Sequence, residues 1–278
     1  MPAPRPSALA LSQRYALGLV GARRGPIGEQ LGRSTGGSLE FEDRRAWRVG
    51  DDVRRIDWRA LGRTDQVLVR LYRDEIAPRV ELVLDGSSSM ATDPDKAQLA
   101  VDLAALLALA AQGAGLQAAL LVASERPESI PIDRFLAHGI EFDARTSLSR
   151  EVETLLRPGA LRIAISDFFV RAELGARLRS LAARAGGLAC VQVLSTFDSD
   201  PASGDALRLT DAETREGLDL VVDAAARKRY LQRLARLNRE LADECSRLAA
   251  TQLSLVAVGD LEAQCSARLV PTGVLVPR

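Results

Sequence analysis

Short apolar segments alternate with helical patterns over the last two-thirds of the chain, and this alternation restricts the fold more than any other feature. Four segments with almost no polar residues have the composition of strands: 80–84, 116–123, 161–166 and 188–194. Helical patterns lie between or after them, at about 94–112, 149–156 and 172–185. A strand that is apolar on both sides needs cover on both sides. The pattern therefore predicts an α/β fold with a doubly wound, mostly parallel sheet and helices on both faces.

The flanking regions carry different patterns. An N-terminal region is predicted to contain a short helix at 7–20 and extended pieces at 39–41, 53–58 and 67–72. After the alternation we expect two strands that flank a loop, a long amphipathic helix and a last strand, with the strands at 206–209, 218–222 and 253–258. We therefore divide the chain into a small N-terminal extended or β-rich segment, 1–78, and an α/β domain, 79–278.

Composition narrows the class of protein. The 278 residues include 37 basic and 37 acidic side chains, so no global charge favours a nucleic acid or an anionic membrane. Nucleic-acid binding by the arginine-rich first third is a weaker alternative, because that region lacks the interleaved aromatic residues of a stacking platform.

The three scattered cysteines and the lack of a leader pattern lead us to expect a cytoplasmic protein. The uncharged stretch 103–124 contains Gly113 and Gly115, which indicate a buried helix and strand rather than a membrane span.

Polar side chains cluster at the ends of the predicted strands. Asp85, Ser87 and Ser89 form a D-x-S-x-S pattern directly after the first strand, and Asp167 follows the third. Loops at the carboxyl ends of parallel strands converge on the crevice where ligands bind. Carboxylate and hydroxyl oxygens suit a hard cation, so the pattern predicts a site for Mg²⁺ or Mn²⁺. The alternative is that Asp85 and the serines only cap the following helix.

The order of these groups resembles the metal-ion-dependent adhesion site of von Willebrand factor A domains. The metal ligands that this resemblance implies are Asp85, Ser87, Ser89, Thr146 and Asp167. Ser147 and Ser149 compete with Thr146 for its place. Because Mg²⁺ usually keeps some of its waters, one coordination position is expected to stay open for an acidic side chain of a partner protein. The resemblance thus implies a von Willebrand factor A-like fold and a non-catalytic, metal-dependent protein-interaction module.

A block in the N-terminal segment indicates a family. Residues 45–63 contain Gly-Asp-Asp and Arg-Arg-Ile-Asp-Trp, and they resemble the signature of a bacterial family catalogued as domain of unknown function fifty-eight. The match covers roughly 36–260, with Trp47 where Tyr is usual and Leu61-Gly62 where Ser-Ala is usual. The resemblance implies a partnership with MoxR-type AAA+ ATPases in chaperone-like maturation or regulation of other proteins. The chain has no G-x-x-x-x-G-K-[ST] loop, so any ATP hydrolysis is expected from another subunit.

Two roles are open for the block 51–58, which alternates acids and arginines around an aromatic residue. It is either an ion-pair cluster that joins the N-terminal strands to the α/β domain, with Trp58 as a core anchor, or a docking face for a partner. The residue pattern does not decide between them.

The enzymatic alternative is a metal-dependent phosphohydrolase of the haloacid-dehalogenase type, which would use Asp85. Such enzymes need a second Asp two positions later, and this chain has Ser87 there. A serine or cysteine hydrolase would have to use His138, the only histidine, which is expected in a loop or on the surface. We therefore expect the chain not to be an enzyme.

Overall fold

The computed structural model describes residues 1–18, 41–47, 56–64, 66–72, 79–170, 173–202, 206–210, 217–221 and 223–278. The chain forms two compact units, one of Met1–Arg23 with Pro78–Arg278 and the other of Arg24–Ala77. The first 23 residues, which the sequence placed in the N-terminal segment, thus belong to the larger unit.

The described residues form helices and strands that alternate along most of the larger unit. The helices are α1 (Pro6–Leu11), α2 (Trp58–Thr64), α3 (Pro94–Gly113), α4 (Ile132–His138), α5 (Leu174–Ala182), α6 (Thr196–Ser199), α7 (Ala224–Arg247) and α8 (Leu261–Gln264). The strands are β1 (Tyr15–Leu17), β2 (Phe41–Ala46), β3 (Leu68–Tyr72), β4 (Arg79–Asp85), β5 (Gln117–Ala123), β6 (Glu128–Ile130), β7 (Leu161–Ser166), β8 (Gly187–Leu194), β9 (Ala206–Thr210), β10 (Gly217–Val221), β11 (Thr251–Val256) and β12 (Leu275–Pro277). Short 3-10 helices cover Ser88–Ala91 and Arg150–Leu155.

A six-stranded sheet in the order β11-β8-β7-β4-β5-β6 organises the larger unit. All neighbouring pairs are parallel except β5 and β6, which are antiparallel. The chain builds outward from β4 in both directions, through β5 and β6 on one side and through β7, β8 and β11 on the other. The predicted α/β class with a mostly parallel, doubly wound sheet is confirmed.

The central strands are buried on nearly every residue, as their composition predicts. Alternate residues of β4 point to opposite faces, yet both Val83 and Leu84 are inaccessible to solvent. Val83 belongs to an apolar cluster that includes Leu178 of α5 and Leu241 of α7. Both faces of β4 are therefore covered, which is the requirement of a parallel sheet.

Helix α3 begins and ends as the sequence predicts. Asp93 accepts hydrogen bonds from the amides of Asp95 and Lys96, and Pro94 occupies the first helical position. Fourteen of its twenty residues are buried, including Asp102, which accepts hydrogen bonds from the backbone amide and the guanidinium of Arg5. No helix in the described ranges is long and apolar enough to cross a membrane.

Several elements differ from the sequence predictions. The predicted helix at 7–20 ends at Leu11, and β1 then pairs with β12 at the other end of the chain. Strand β6 and helix α4 were not predicted, and 150–155 form a 3-10 helix. These segments are short, and partners distant in the sequence determine their conformation.

The described residues of the smaller unit form a two-stranded antiparallel pair, β2 and β3, and helix α2. Residues 48–55 of the signature block lie outside the described residues. Within the block, Asp57 accepts a hydrogen bond from the amide of Ala60 and so caps α2, whose first residue is Trp58. The predicted strand at 53–58 is therefore wrong at Trp58. The prediction of Trp58 as a core anchor is also wrong, because its side chain is 64% exposed.

Candidate functional site

The two predicted carboxylates lie side by side where the strand order reverses. Asp85 is the last residue of β4, and Asp167 directly follows β7. The two strands are parallel neighbours, with Leu84 opposite Ile165. In open α/β sheets, ligands bind at the carboxyl ends of the strands at such a reversal point. Both carboxylates are fully buried.

Asp85 is held by four hydrogen bonds, from two loops and from the last residue of β7. Its Oδ1 accepts from the backbone amides of Ser87 at 3.0 Å and Leu148 at 3.2 Å. Its Oδ2 accepts from the hydroxyls of Ser147 and Ser166, each at 2.6 Å. A carboxylate has about four acceptor positions. Asp85 thus organises the loops, and its own oxygens are saturated.

The D-x-S-x-S loop brings two hydroxyls together. The Oγ atoms of Ser87 and Ser89 are 2.9 Å apart. Gly86 allows the loop to run against β5, because a Cβ at this position would lie 2.8 Å from Val122 Cγ1. The amide of Ser88 donates to the carbonyl of Ala144, which joins the loop to the one that follows α4. The local sequence Gly-Ser-Ser-Ser therefore suits a tight turn with hydroxyls at the reversal point.

Of the three competing hydroxyls near residue 146, the structure brings Ser147 to Asp85. Thr146 is half-buried, and its hydroxyl makes no hydrogen bond to any described residue. The hydroxyl of Ser149 donates to Glu151 instead. Sequence reasoning could name the segment but not the residue, because the turn decides which side chain points to the strands.

Two bulky residues next to the site adopt left-handed backbone conformations. Leu148 has a φ of 44° and Phe168 a φ of 58°. Such a conformation costs about 1–3 kcal/mol for a residue other than glycine. Both side chains are buried in the same apolar cluster, and burial of a large apolar side chain contributes about 1.5–3 kcal/mol. Core packing therefore holds both loops in the shape that surrounds Asp85 and Asp167.

A buried lysine completes the cluster, and the sequence analysis did not predict it. The Nζ of Lys96, from the first turn of α3, donates to Oδ2 of Asp167 at 2.9 Å, to Oδ2 of Asp198 at 2.9 Å and to the carbonyl of Ser89 at 3.0 Å. Its Nζ also lies 5.4 Å from the centroid of the Phe169 ring. The signal that was available is a lysine, one of only two in the chain, at the start of an apolar helix.

Asp198 is the second group that the sequence analysis missed. It belongs to a capping box of α6, in which the Ser195 hydroxyl accepts from the Asp198 amide and the Ser195 amide donates to the Asp198 carboxylate. Its carbonyl accepts from the hydroxyl of Tyr230 on α7 at 2.7 Å. Burial and the charges of Asp198 and Asp167 raise the pKa of Tyr230. Asp198 therefore connects the carboxylate cluster to α7.

The electrostatics of the cluster are unbalanced toward negative charge. Burial raises the pKa of Asp85, and the charge of Asp167 adds to the rise, while the hydrogen bonds to Asp85 oppose it. Burial lowers the pKa of Lys96, but Asp167 and Asp198 raise it by more, so its net shift is upward. With all four groups ionised, three carboxylates and one ammonium carry a formal charge of −2.

The donor set fits a hard divalent cation in two respects. Neighbouring ligands of an octahedral Mg²⁺ at about 2.1 Å are about 3 Å apart, and the Ser87 and Ser89 hydroxyl oxygens have this separation. The net negative charge of the cluster also has the sign that attracts such an ion. No group of three or more His, Cys, Asp or Glu side chains in the described ranges could hold a metal. An ion here would therefore depend on the hydroxyls, with Asp85 acting through its charge.

The fold and the site define a doubly wound α/β protein with a polar cluster at the reversal point of its sheet. The chain belongs to the family described as "Protein of unknown function DUF58", whose model matches residues 43–240. It is also similar to uncharacterized proteins of Mycobacterium bovis (Mb1516) and Mycobacterium tuberculosis (Rv1480). Each is 29% identical to it over 248 residues, which cover 82% of this chain and 78% of theirs.

Two solved structures show a weaker likeness. One is the conserved hypothetical protein BatB from Bacteroides thetaiotaomicron, with 12% identity, a TM-score of 0.38 and coverage of 68% of this chain and 94% of that one. The other is an aerotolerance-related membrane protein from Bacteroides fragilis, with 13% identity, a TM-score of 0.41 and coverage of 71% and 98%. TM-scores this low do not establish a shared fold.

Proposed function

We propose that the chain is a non-catalytic protein-interaction module with a von Willebrand factor A-like domain, which binds its partner through Mg²⁺ or Mn²⁺ at the reversal point of the sheet. The observation that carries the proposal is the hydroxyl pair of Ser87 and Ser89 beside two buried carboxylates, Asp85 and Asp167. The bound ion would supply an open coordination position for an acidic side chain of the partner.

The strand order supports the choice of domain class. Counted from β4, the sheet has the order 3-2-1-4-5-6, and its third strand, β6, is antiparallel to the second. This order places the carboxyl ends of β4 and β7 next to each other, and Ser87, Ser147 and Ser166 from three separate segments all donate to Asp85. A helix cap alone explains neither Ser166 nor Ser147 on Asp85.

The bonding of Asp85 supports a role in binding rather than in catalysis. A phosphohydrolase that forms a covalent intermediate needs a carboxylate oxygen that can attack the substrate. Both oxygens of Asp85 are buried and already accept two hydrogen bonds each. The position two residues later is Ser87, which offers no carboxylate to act as an acid or base.

We further propose that the partner is a MoxR-type AAA+ ATPase and that the pair acts on client proteins in chaperone-like maturation or regulation. The support is the resemblance of the signature block in residues 45–63 to the family that has this association. The absence of a phosphate-binding loop agrees with it, because the energy of ATP must then come from the other subunit.

Thermal unfolding with and without metal tests the ion. Mg²⁺ or Mn²⁺ should raise the Tm of the wild-type protein, because a ligand that binds only the folded state stabilises it. Ser89→Ala should remove most of the rise, and Asp85→Ala should abolish it. Ser88→Ala is the matched control, because the hydroxyl of Ser88 lies in the same turn and makes no hydrogen bond to described residues. An equal rise in all four proteins would refute the site.

A capture experiment tests the partner. The tagged wild-type chain should retain an AAA+ ATPase from a lysate of its own organism in Mg²⁺, and EDTA or Asp85→Ala should release it. If the ATPase is retained equally in EDTA and by Asp85→Ala, the interface lies away from the metal loops. Metal-dependent release of phosphate from p-nitrophenyl phosphate, lost in Asp85→Asn, would favour the phosphohydrolase instead.

A further inference from the structure

We propose that Lys96 is a tethered cation that competes with the divalent ion for the site, so that metal binding must displace its ammonium group from Asp167. This inference rests on the proposed function, because it assumes an ion beside Ser87 and Ser89. It adds a residue that controls the affinity of the ion.

The ammonium of Lys96 is fully coordinated by oxygen atoms of the protein. Its ammonium has three N–H donors, and three oxygens accept them, one each from Asp167, Asp198 and the backbone of Ser89. Its side chain is only 1% exposed. A buried ammonium is rarely found without such pairing. The ammonium of Lys96 thus already occupies the carboxylate of Asp167, which a divalent ion would need as a ligand.

Lys96 and the divalent ion would compete for the carboxylate of Asp167. Oδ2 of Asp167 accepts from Lys96, while Oδ1 accepts from the amide of Phe169 at 2.9 Å, so neither oxygen is free. The ammonium donates to the carbonyl of Ser89, and the hydroxyl of the same residue is a proposed ligand of the ion. A divalent ion on that hydroxyl would repel it, and the repulsion is strong where water is excluded.

Displacement of Lys96 would also change the hydrogen bonds of Asp198. Asp198 would lose one of the two donors to its carboxylate and keep the bond from the Ser195 amide. The backbone of Asp198 is bonded to Tyr230 on α7. Lys96 therefore links the proposed ion position to Asp198 of α6, 102 residues away in sequence.

Two lysines make the test specific. Lys96→Met removes the charge but keeps a long apolar side chain, and Lys228→Met is the matched control because Lys228 lies exposed on α7. Calorimetric titration with Mn²⁺ should show an affinity for Mn²⁺ at least about tenfold higher in Lys96→Met than in the wild-type protein. Lys228→Met should not differ from wild type. Equal affinities in all three proteins would overturn the inference.

Amine labelling of the wild-type protein keeps the inference testable even if Lys96→Met does not fold. N-hydroxysuccinimide acetate should modify Lys228 quickly and Lys96 slowly, as measured by peptide mass spectrometry. Saturating Mg²⁺ should speed modification of Lys96 and leave Lys228 unchanged, because displacement exposes the ammonium. If the rate of modification of Lys96 is the same with and without Mg²⁺, the inference is overturned.

The two proposals fail in different ways. If wild type and Lys96→Met bind Mn²⁺ equally and Ser89→Ala does not bind it, the metal site stands and the competition is refuted. If neither wild type nor Lys96→Met binds Mn²⁺, the metal site itself is refuted, and the competition with it. Binding by Lys96→Met alone would support the competition and show that the lysine excludes the ion from the wild-type site.

Discussion

The buried ion pair of Glu81 and Arg162 joins the two strands that carry the site. The residues are direct neighbours in the β4–β7 ladder, four and five positions before Asp85 and Asp167. Arg162 Nε donates to Glu81 at 3.2 Å, and its other nitrogens donate to the carbonyls of Leu181, Ala183 and Arg157. We predict that Arg162→Met is strongly destabilising, because it leaves a buried carboxylate and three carbonyls without these donors.

The magnitude follows from the burial of both groups. Removal of one partner of a buried ion pair costs about 3–5 kcal/mol. Glu81 keeps the amide of Arg157 at 2.9 Å and Arg79 at 3.4 Å, whereas the three carbonyls lose a donor, so we expect a value inside this range. Unfolding entropy is about 2.1 cal/mol/K per residue, so in a unit of about 220 residues 1 kcal/mol lowers the Tm by about 2 °C. The predicted loss is about 6–10 °C.

Differential scanning calorimetry in EDTA measures this loss without any contribution from metal. Arg134→Met is the matched control, because Arg134 forms an exposed pair with Glu128, and such pairs contribute about 0–1 kcal/mol. A Tm in Arg162→Met that falls no further than in Arg134→Met would refute the reasoning. Glu81→Gln combined with Arg162→Met should be less destabilised than the sum of the single changes, because the pair is then removed together.

The remaining predictions concern the metal, the thiols and the tryptophans. Affinity for Mg²⁺ should rise with pH until Asp85 is ionised, because the raised pKa of Asp85 lets a proton compete, and calorimetry with Asp85→Asn should show a weaker pH dependence. Cys190, Cys245 and Cys265 are buried, and burial helps to raise the pKa of Cys265 to about 12. A thiol reagent such as dithiobis-nitrobenzoate should therefore label them only after denaturation, and rapid labelling of the native protein would contradict the buried positions. Trp58 is 64% and Trp47 36% exposed, so acrylamide should quench the native fluorescence, and strong protection of both tryptophans would contradict this exposure.

Elements with a strong local pattern were predictable. The apolar runs of β4, β5, β7 and β8 and the capped start of α3 depend on residues within a few positions of each other. Strand β6 and the β1–β12 pair were not predictable in this way, because three residues give no periodicity and their partners lie elsewhere in the chain. Trp58 illustrates the same limit, since the local composition indicated an extended segment, whereas the residue begins helix α2 with its side chain exposed.

The sequence by itself determined that Asp85 and Asp167 follow apolar strands, and therefore that they lie at the same edge of a parallel sheet. Only the tertiary structure decided what surrounds them. Ser147 rather than Thr146 turns to Asp85, and Lys96 reaches Asp167 from 71 positions away. The periodicity of a strand is a local property. The direction of a polar side chain instead depends on loops held by core packing and on charges brought together by the fold.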